Sequence, residues 1–130
     1  MSGYRAGFLK KRARAFLEYA KTDYTRGYYD LVLFHVEQFL QLYLNYLIYK
    51  KIGDYPKTHS LTRFFRDVIK VYDDKRLQEF YEENLEAIYL LEETYIASRY
   101  LPREYDEEIA KRILGLADRA LEVLECLEKH

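Results

Sequence analysis

Apolar residues recur along most of the chain at steps of three and four, the spacing that places them on one face of an α-helix. The clearest repeat, near the end of the chain, is Ile109, Ile113, Leu116, Ala120, Val123 and Leu127. The pattern predicts five helices, which run from about Tyr4 to Arg26, from Tyr28 to Ile52, from Thr58 or Ser60 onward, from just after Asp74 to about Arg99, and from about Asp106 onward. No segment shows the alternation that is typical of a strand.

The connections between these helices are short, so neighbouring helices should run antiparallel. The sequence therefore predicts an all-α fold, an up-and-down antiparallel helical bundle of four long helices plus one short helix. We expect residues 1–130 to form a single domain. Low counts of glycine and proline, 5 and 2, also favour helices over turn-rich structure.

The second predicted helix is apolar on almost every side. Its polar positions gather on one narrow face, and they are Asp30, Glu37, Gln38, Gln41 and Asn45. Such a helix should be surrounded by its own bundle or by a second subunit. The polar positions also interrupt the apolar run too often for a membrane span, which needs roughly 20 nearly unbroken apolar residues. We therefore expect no membrane association.

Charge is distributed unevenly although the net charge is only −1. Residues 1–70 carry a net charge of +7, and residues 71–130 carry −8. This asymmetry has two interpretations: a basic face for nucleic acid, or basic helices packed against acidic helices in one bundle. The second is simpler, and the sequence pI near 6.3 gives the first no support.

The single cysteine, Cys126, excludes an intrachain disulfide and a cysteine-rich metal site. A reducing, cytoplasmic location is the expectation, and the first twenty residues show no apolar signal core. The three histidines lack the spacing of a zinc motif, and the chain has no glycine-rich phosphate loop. We therefore expect neither a metal nor a cofactor. The clustered glutamates, Glu82, Glu83, Glu86, Glu92 and Glu93, are expected to form a solvated acidic face.

Candidate binding residues fall on two short segments, "YPKTHSL" and "SRY". His59 follows a proline turn at a predicted helix start, near Lys57; the segment either caps the helix or contacts a phosphate or a base. Arg99 and Tyr100 close the fourth helix, where a cation is stabilising and a guanidinium beside an aromatic ring suits phosphate and base contacts. His35 lies on the apolar side of the second helix, as a satisfied core histidine or as a further ligand-binding residue.

The order of "AKTDYTRGYYDLVLFHVEQ", "YPKTHSL" and "SRY" on this helical pattern resembles the HEPN family (higher eukaryotes and prokaryotes nucleotide-binding) over roughly residues 8–125. The resemblance implies a four- or five-helix bundle that is often dimeric. Many members are encoded beside a small nucleotidyltransferase in toxin–antitoxin-like pairs, and others are metal-independent RNases. The RNase members carry an arginine followed four to six residues later by histidine, and no such pair occurs in this chain.

The residue patterns and the resemblance together lead to three alternative functions. The first is a non-catalytic module for a nucleotide or another phosphate-bearing ligand, a homodimer partnered with a nucleotidyltransferase, with ligand-binding residues His59, Lys57, Arg99, Tyr100 and His35. The second is a structural dimerisation domain without a ligand. The third is a metal-independent RNase toxin with an atypical site, which would make RNA a partner. The missing arginine–histidine motif favours binding over catalysis.

Overall fold

The computed structural model describes the backbone at residues 2–54, 56–100 and 104–129, and the side chains at residues 6–54, 56–95 and 104–129. Within these ranges the secondary structure is entirely helical. The helices are α1 (Ser2–Arg26), α2 (Tyr29–Ile52), α3 (Leu61–Tyr72), α4 (Lys75–Glu83), α5 (Leu85–Tyr100) and α6 (Glu107–Leu127). The predicted all-α helical bundle is confirmed.

The helix predicted between Asp74 and Arg99 is two helices, because α4 and α5 meet at Asn84. Asn84 leaves helical geometry, with φ −116° and ψ 21°, and both its backbone N–H and its side-chain Nδ2 donate to the carbonyl of Phe80. Asparagine competes for backbone hydrogen bonds in this way and so has a low helix propensity. The apolar repeat continues through the interruption and conceals it in the sequence.

Glycines with positive φ end the first two helices. Gly27, at φ 79°, allows α1 to turn directly into α2 with only Tyr28 between it and the next helix. Gly53, at φ 78°, donates its N–H to the carbonyl of Tyr49 at 2.8 Å and closes α2. Other residues adopt this left-handed conformation only at a cost, so both positions favour glycine.

Helix α2 lies at the centre of the bundle and contacts α1, α3, α5 and α6. Phe39, Tyr43 and Leu47 are fully buried on it. The narrow polar face is also largely covered, since Glu37 is fully buried and Gln41 and Asn45 are each 7% exposed. None of the described helices has the length and apolar character needed to cross a membrane.

Ion pairs join the basic first helix to the acidic last helix. Lys10 contacts Glu128 at 2.8 Å, Arg14 contacts Glu125 at 2.7 Å, and Lys21 contacts Asp118 at 3.4 Å. The uneven charge of the sequence therefore places opposite charges on neighbouring helices of one bundle. This arrangement is the simpler of the two interpretations given above.

Candidate functional site

A cavity of about 460 Å³ lies where the segment between α2 and α3 meets α2 and α5. Its lining combines side-chain amides, one lysine and two rings: Gln38, Gln41, Leu42, Asn45, Lys57, Thr58, His59 and Tyr95. The polar face of α2 supplies the amides. The sequence predicted that face, and the fold turns it toward this cavity.

His59 is held between a ring and an amide. Its imidazole stacks on Tyr95 with 4.9 Å between ring centroids and 21° between planes. Its Nδ1 lies 3.4 Å from Oε1 of Gln41, and Nε2 of Gln41 approaches the main-chain carbonyl of His59 at 3.4 Å. Because α5 carries Tyr95 and α2 carries Gln41, the bundle itself fixes the ring in place.

Glu37 is a buried carboxylate directly behind this contact. Its Oε1 accepts a hydrogen bond from Gln38 at 2.8 Å, and its Oε2 accepts one from Gln41 at 2.6 Å. Burial raises the pKa of Glu37 to about 7; the two amide hydrogen bonds oppose this rise, and the negative charge of Glu92 adds to it. No ion pair joins Glu37 to a lysine, arginine or histidine within the described side chains.

The N-terminus of α3 already holds an anion from the same chain. Glu92 Oε1 accepts hydrogen bonds from Ser60 Oγ at 2.9 Å, from the backbone N–H of Thr62 at 3.0 Å and from Thr62 Oγ1 at 3.1 Å. Ser60 in turn caps the helix by accepting from the N–H of Arg63. The capping interpretation of this segment is therefore correct. A ligand phosphate would therefore have to compete with Glu92 for this helix terminus.

This arrangement corrects the prediction for one of the clustered glutamates. Glu92 was expected to belong to the solvated acidic face, but it is only partly exposed and holds α3. Glu82, Glu83, Glu86 and Glu93 are exposed as predicted.

The remaining predicted residues lie in different places. Lys57 lines the cavity beside His59. Arg99 and Tyr100 belong to the last turn of α5, and Arg99 follows Tyr95 by four residues, about one helical turn. The side chains of Arg99 and Tyr100 lie outside the described part of the chain.

His35 has a separate environment against α1. Its Nδ1 lies 2.5 Å from Oδ2 of Asp23, and its ring stacks on Phe16 with centroids 5.7 Å apart. Tyr19 and Phe34 contact the same ring edge to face. His35 and His59 therefore pack against different helices, and the contacts of His35 are those of a satisfied core histidine.

Sequence reasoning did not single out Gln41, Tyr95 or Glu92 as site residues. Two signals were present, since Glu92 follows the buried Ile88 by four residues and shares its helix face, and Gln41 is four residues from Glu37. Among the described side chains, no group of three histidines, cysteines or acidic residues is suitably placed to hold a metal ion.

The fold and the cavity define a class of protein, an all-α bundle with an amide-lined pocket at a histidine-bearing turn. The family model of the HEPN domain matches residues 6–127, nearly the whole chain. The chain therefore belongs to the HEPN family. Neither a curated protein nor a solved structure gives a significant match.

Proposed function

We propose that this HEPN domain is a non-catalytic binding module for a nucleotide or a related phosphate-bearing ligand. The cavity beside His59 carries the proposal, because it places three kinds of side chain that suit such a ligand around one space. Amides can hydrogen-bond to the polar edges of a base, aromatic rings can stack on the base, and a lysine attracts phosphate.

The base portion fits the amide-lined wall of the cavity. Gln38, Gln41 and Asn45 present amides there, and the stacked pair of His59 and Tyr95 offers an aromatic surface beside them. A base stacked on an aromatic side chain gains about 1–3 kcal/mol.

The phosphate portion depends on side-chain cations rather than on the terminus of α3. Glu92 occupies that terminus, where it already accepts from the Thr62 N–H and from the hydroxyls of Ser60 and Thr62. Lys57 lines the cavity, and Arg99 follows Tyr95 by about one turn of α5. We propose that these two residues contact the phosphate, and we propose Tyr100, the neighbour of Arg99 in the sequence, as a further contact. His35, packed against α1, has no part in this contact.

Calorimetric titration of AMP, ATP, CMP and GTP into the purified chain tests the proposal. We expect at least one nucleotide to bind, and we expect Lys57→Ala and Arg99→Ala each to weaken that binding at least tenfold. Loss of one charge-assisted hydrogen bond costs about 1.5–3 kcal/mol, which corresponds to this change. Lys111→Ala and Arg119→Ala, exposed positions on α6, are the matched controls and should bind as the wild type does. If none of the four nucleotides binds to the wild type, the proposal is wrong.

The same proposal includes a homodimer and a small nucleotidyltransferase as partner, as the family membership suggests. HEPN domains often dimerise, and the exposed Phe8, Tyr28 and Ile52 leave apolar surface for such contacts. Light scattering at micromolar concentration tests the dimer, and co-purification with a nucleotidyltransferase encoded beside it tests the partner. Cleavage of RNA in EDTA that His59→Ala abolishes would instead establish the RNase alternative.

A further inference from the structure

Three polar groups form a chain of contacts from the centre of the bundle to the cavity. Glu37 Oε2 accepts from Nε2 of Gln41 at 2.6 Å, and Oε1 of Gln41 lies 3.4 Å from Nδ1 of His59. Gln38 Nε2 occupies the other oxygen of Glu37 at 2.8 Å. Each oxygen of the carboxylate therefore faces an amide N–H group.

The ionised form of Glu37 fixes the orientation of the Gln41 amide. A carboxylate only accepts hydrogen bonds, so Gln41 must present its NH₂ group to Glu37 and its oxygen to His59. An oxygen opposite Nδ1 requires Nδ1 to carry the proton of a neutral imidazole. Nε2 then keeps its lone pair and has no hydrogen-bond partner within the described contacts, which leaves it for a ligand.

Protonation of Glu37 on Oε2, the oxygen that faces Gln41, reverses this order. The new O–H needs an acceptor, and Gln41 supplies one when its amide turns by half a rotation. Its NH₂ group then faces Nδ1 of His59, which becomes the acceptor, and the ring proton moves by exchange with water to Nε2. One proton is taken up in total, and it resides on Glu37.

We propose that Glu37 is a positioning residue that acts through the Gln41 amide to set which nitrogen of His59 carries the ring proton. The hydrogen-bonding character of Nε2 thereby follows the protonation state of a carboxyl group in the core. The assignment of Nε2 to a ligand rests on the proposed function. The hydrogen-bonded relay from Glu37 through Gln41 to His59 is a property of the free protein.

The surroundings of Glu37 cause its carboxyl group to titrate near neutral pH. Burial raises its pKa to about 7, and Glu92 on α5 adds a negative charge on that side. His59 and Lys57 face the relay from the segment between α2 and α3, as lining of the cavity. The start of α3 contributes hydroxyls that Glu92 holds.

Nitrogen-15 NMR of the ligand-free protein tests the relay. In histidine-labelled protein at pH 8.5, the His59 signals, assigned with His59→Gln, should show a protonated Nδ1 and an unprotonated Nε2. Glu37→Gln is nearly isosteric, and with its oxygen kept on the Gln38 NH₂ group it offers its own NH₂ group to Gln41, so it imitates the acid protonated on Oε2. This variant should move the proton to Nε2 at the same pH. Gln78→Leu, which removes an exposed glutamine on α4, is the control and should leave the His59 tautomer unchanged.

Two results would overturn the proposal: an Nε2–H tautomer in the wild type at pH 8.5, or an unchanged tautomer in Glu37→Gln. The wild-type spectrum needs no variant, so the first result remains decisive even if a substitution prevents folding. Because nucleotide is absent from these samples, a failed relay and a failed nucleotide titration are separate outcomes. A protein that shows the relay and binds no nucleotide would keep this inference and lose the proposed function.

Discussion

Removal of the Glu92 carboxylate should destabilise the protein by an amount that its contacts define. Its Oε1 accepts from Ser60 Oγ, the Thr62 N–H and Thr62 Oγ1 at 2.9–3.1 Å, at the positive end of α3. A hydrogen bond to a charged group contributes about 1.5–3 kcal/mol, and these three share one oxygen at a partly hydrated site. We therefore expect Glu92→Ala to lower the free energy of unfolding by about 2–3 kcal/mol. Glu92→Gln keeps an acceptor and loses the charge, so it should cost about 1 kcal/mol.

Urea unfolding followed by circular dichroism measures both effects, and the dependence on urea concentration should be the same in all variants. Glu93→Ala is the matched control, since Glu93 is the exposed neighbour of Glu92 on the same helix. Its substitution should leave the unfolding midpoint unchanged. A neutral surface substitution changes the free energy of unfolding by about 0.5 kcal/mol or less. The reasoning fails if Glu92→Ala lowers that free energy by no more than this, or if Glu93→Ala lowers it as much as Glu92→Ala does.

Two further predictions concern pH. Burial raises the pKa of Glu37 from 4.5 to about 7 in the folded state, so the wild type should lose stability relative to Glu37→Gln as pH rises from 4.5 through 7. Between pH 4.5 and pH 8, the free energy of unfolding of the wild type relative to that of the variant should fall by about 3 kcal/mol in urea titrations. A relative stability that is the same at both pH values would contradict the prediction. Glu128 behaves oppositely: despite the opposing effect of burial, hydrogen bonds from Lys10, Tyr43 and Tyr46 lower its pKa. Glu128→Gln should therefore lower the free energy of unfolding by roughly 1–2 kcal/mol at pH 7. In urea titrations this cost should shrink as pH falls below 4.5 and through the lowered pKa, because acid then protonates the wild-type carboxyl. An equal cost at neutral and acid pH would refute this.

The helices were predictable because their signals are local. Ser60, Asp74 and Asp106 cap α3, α4 and α6, as their residue types and positions suggested. The break at Asn84 was missed because the apolar repeat passes through it unaltered. A single asparagine in a long periodic segment has too small a propensity cost to predict an interruption by itself.

The candidate site was predictable in its parts and not in its assembly. The sequence marked His59 and Lys57, and it placed Glu37 and Gln41 on a shared face. It did not show that α5 covers this face, because the packing partner of a helix depends on the tertiary fold. Glu92 illustrates the same limit, since its role depends on Ser60 and Thr62, about thirty residues earlier in the chain.

The tight reversal at Gly27 also bears on how quickly the chain folds. With so short a connection, the large surface shared by α1 and α2 forms between residues near one another in sequence, so the entropy lost on closing the loop is small. Proteins rich in such local contacts fold in microseconds to milliseconds. We expect this hairpin to form first and to act as the template on which the later helices assemble.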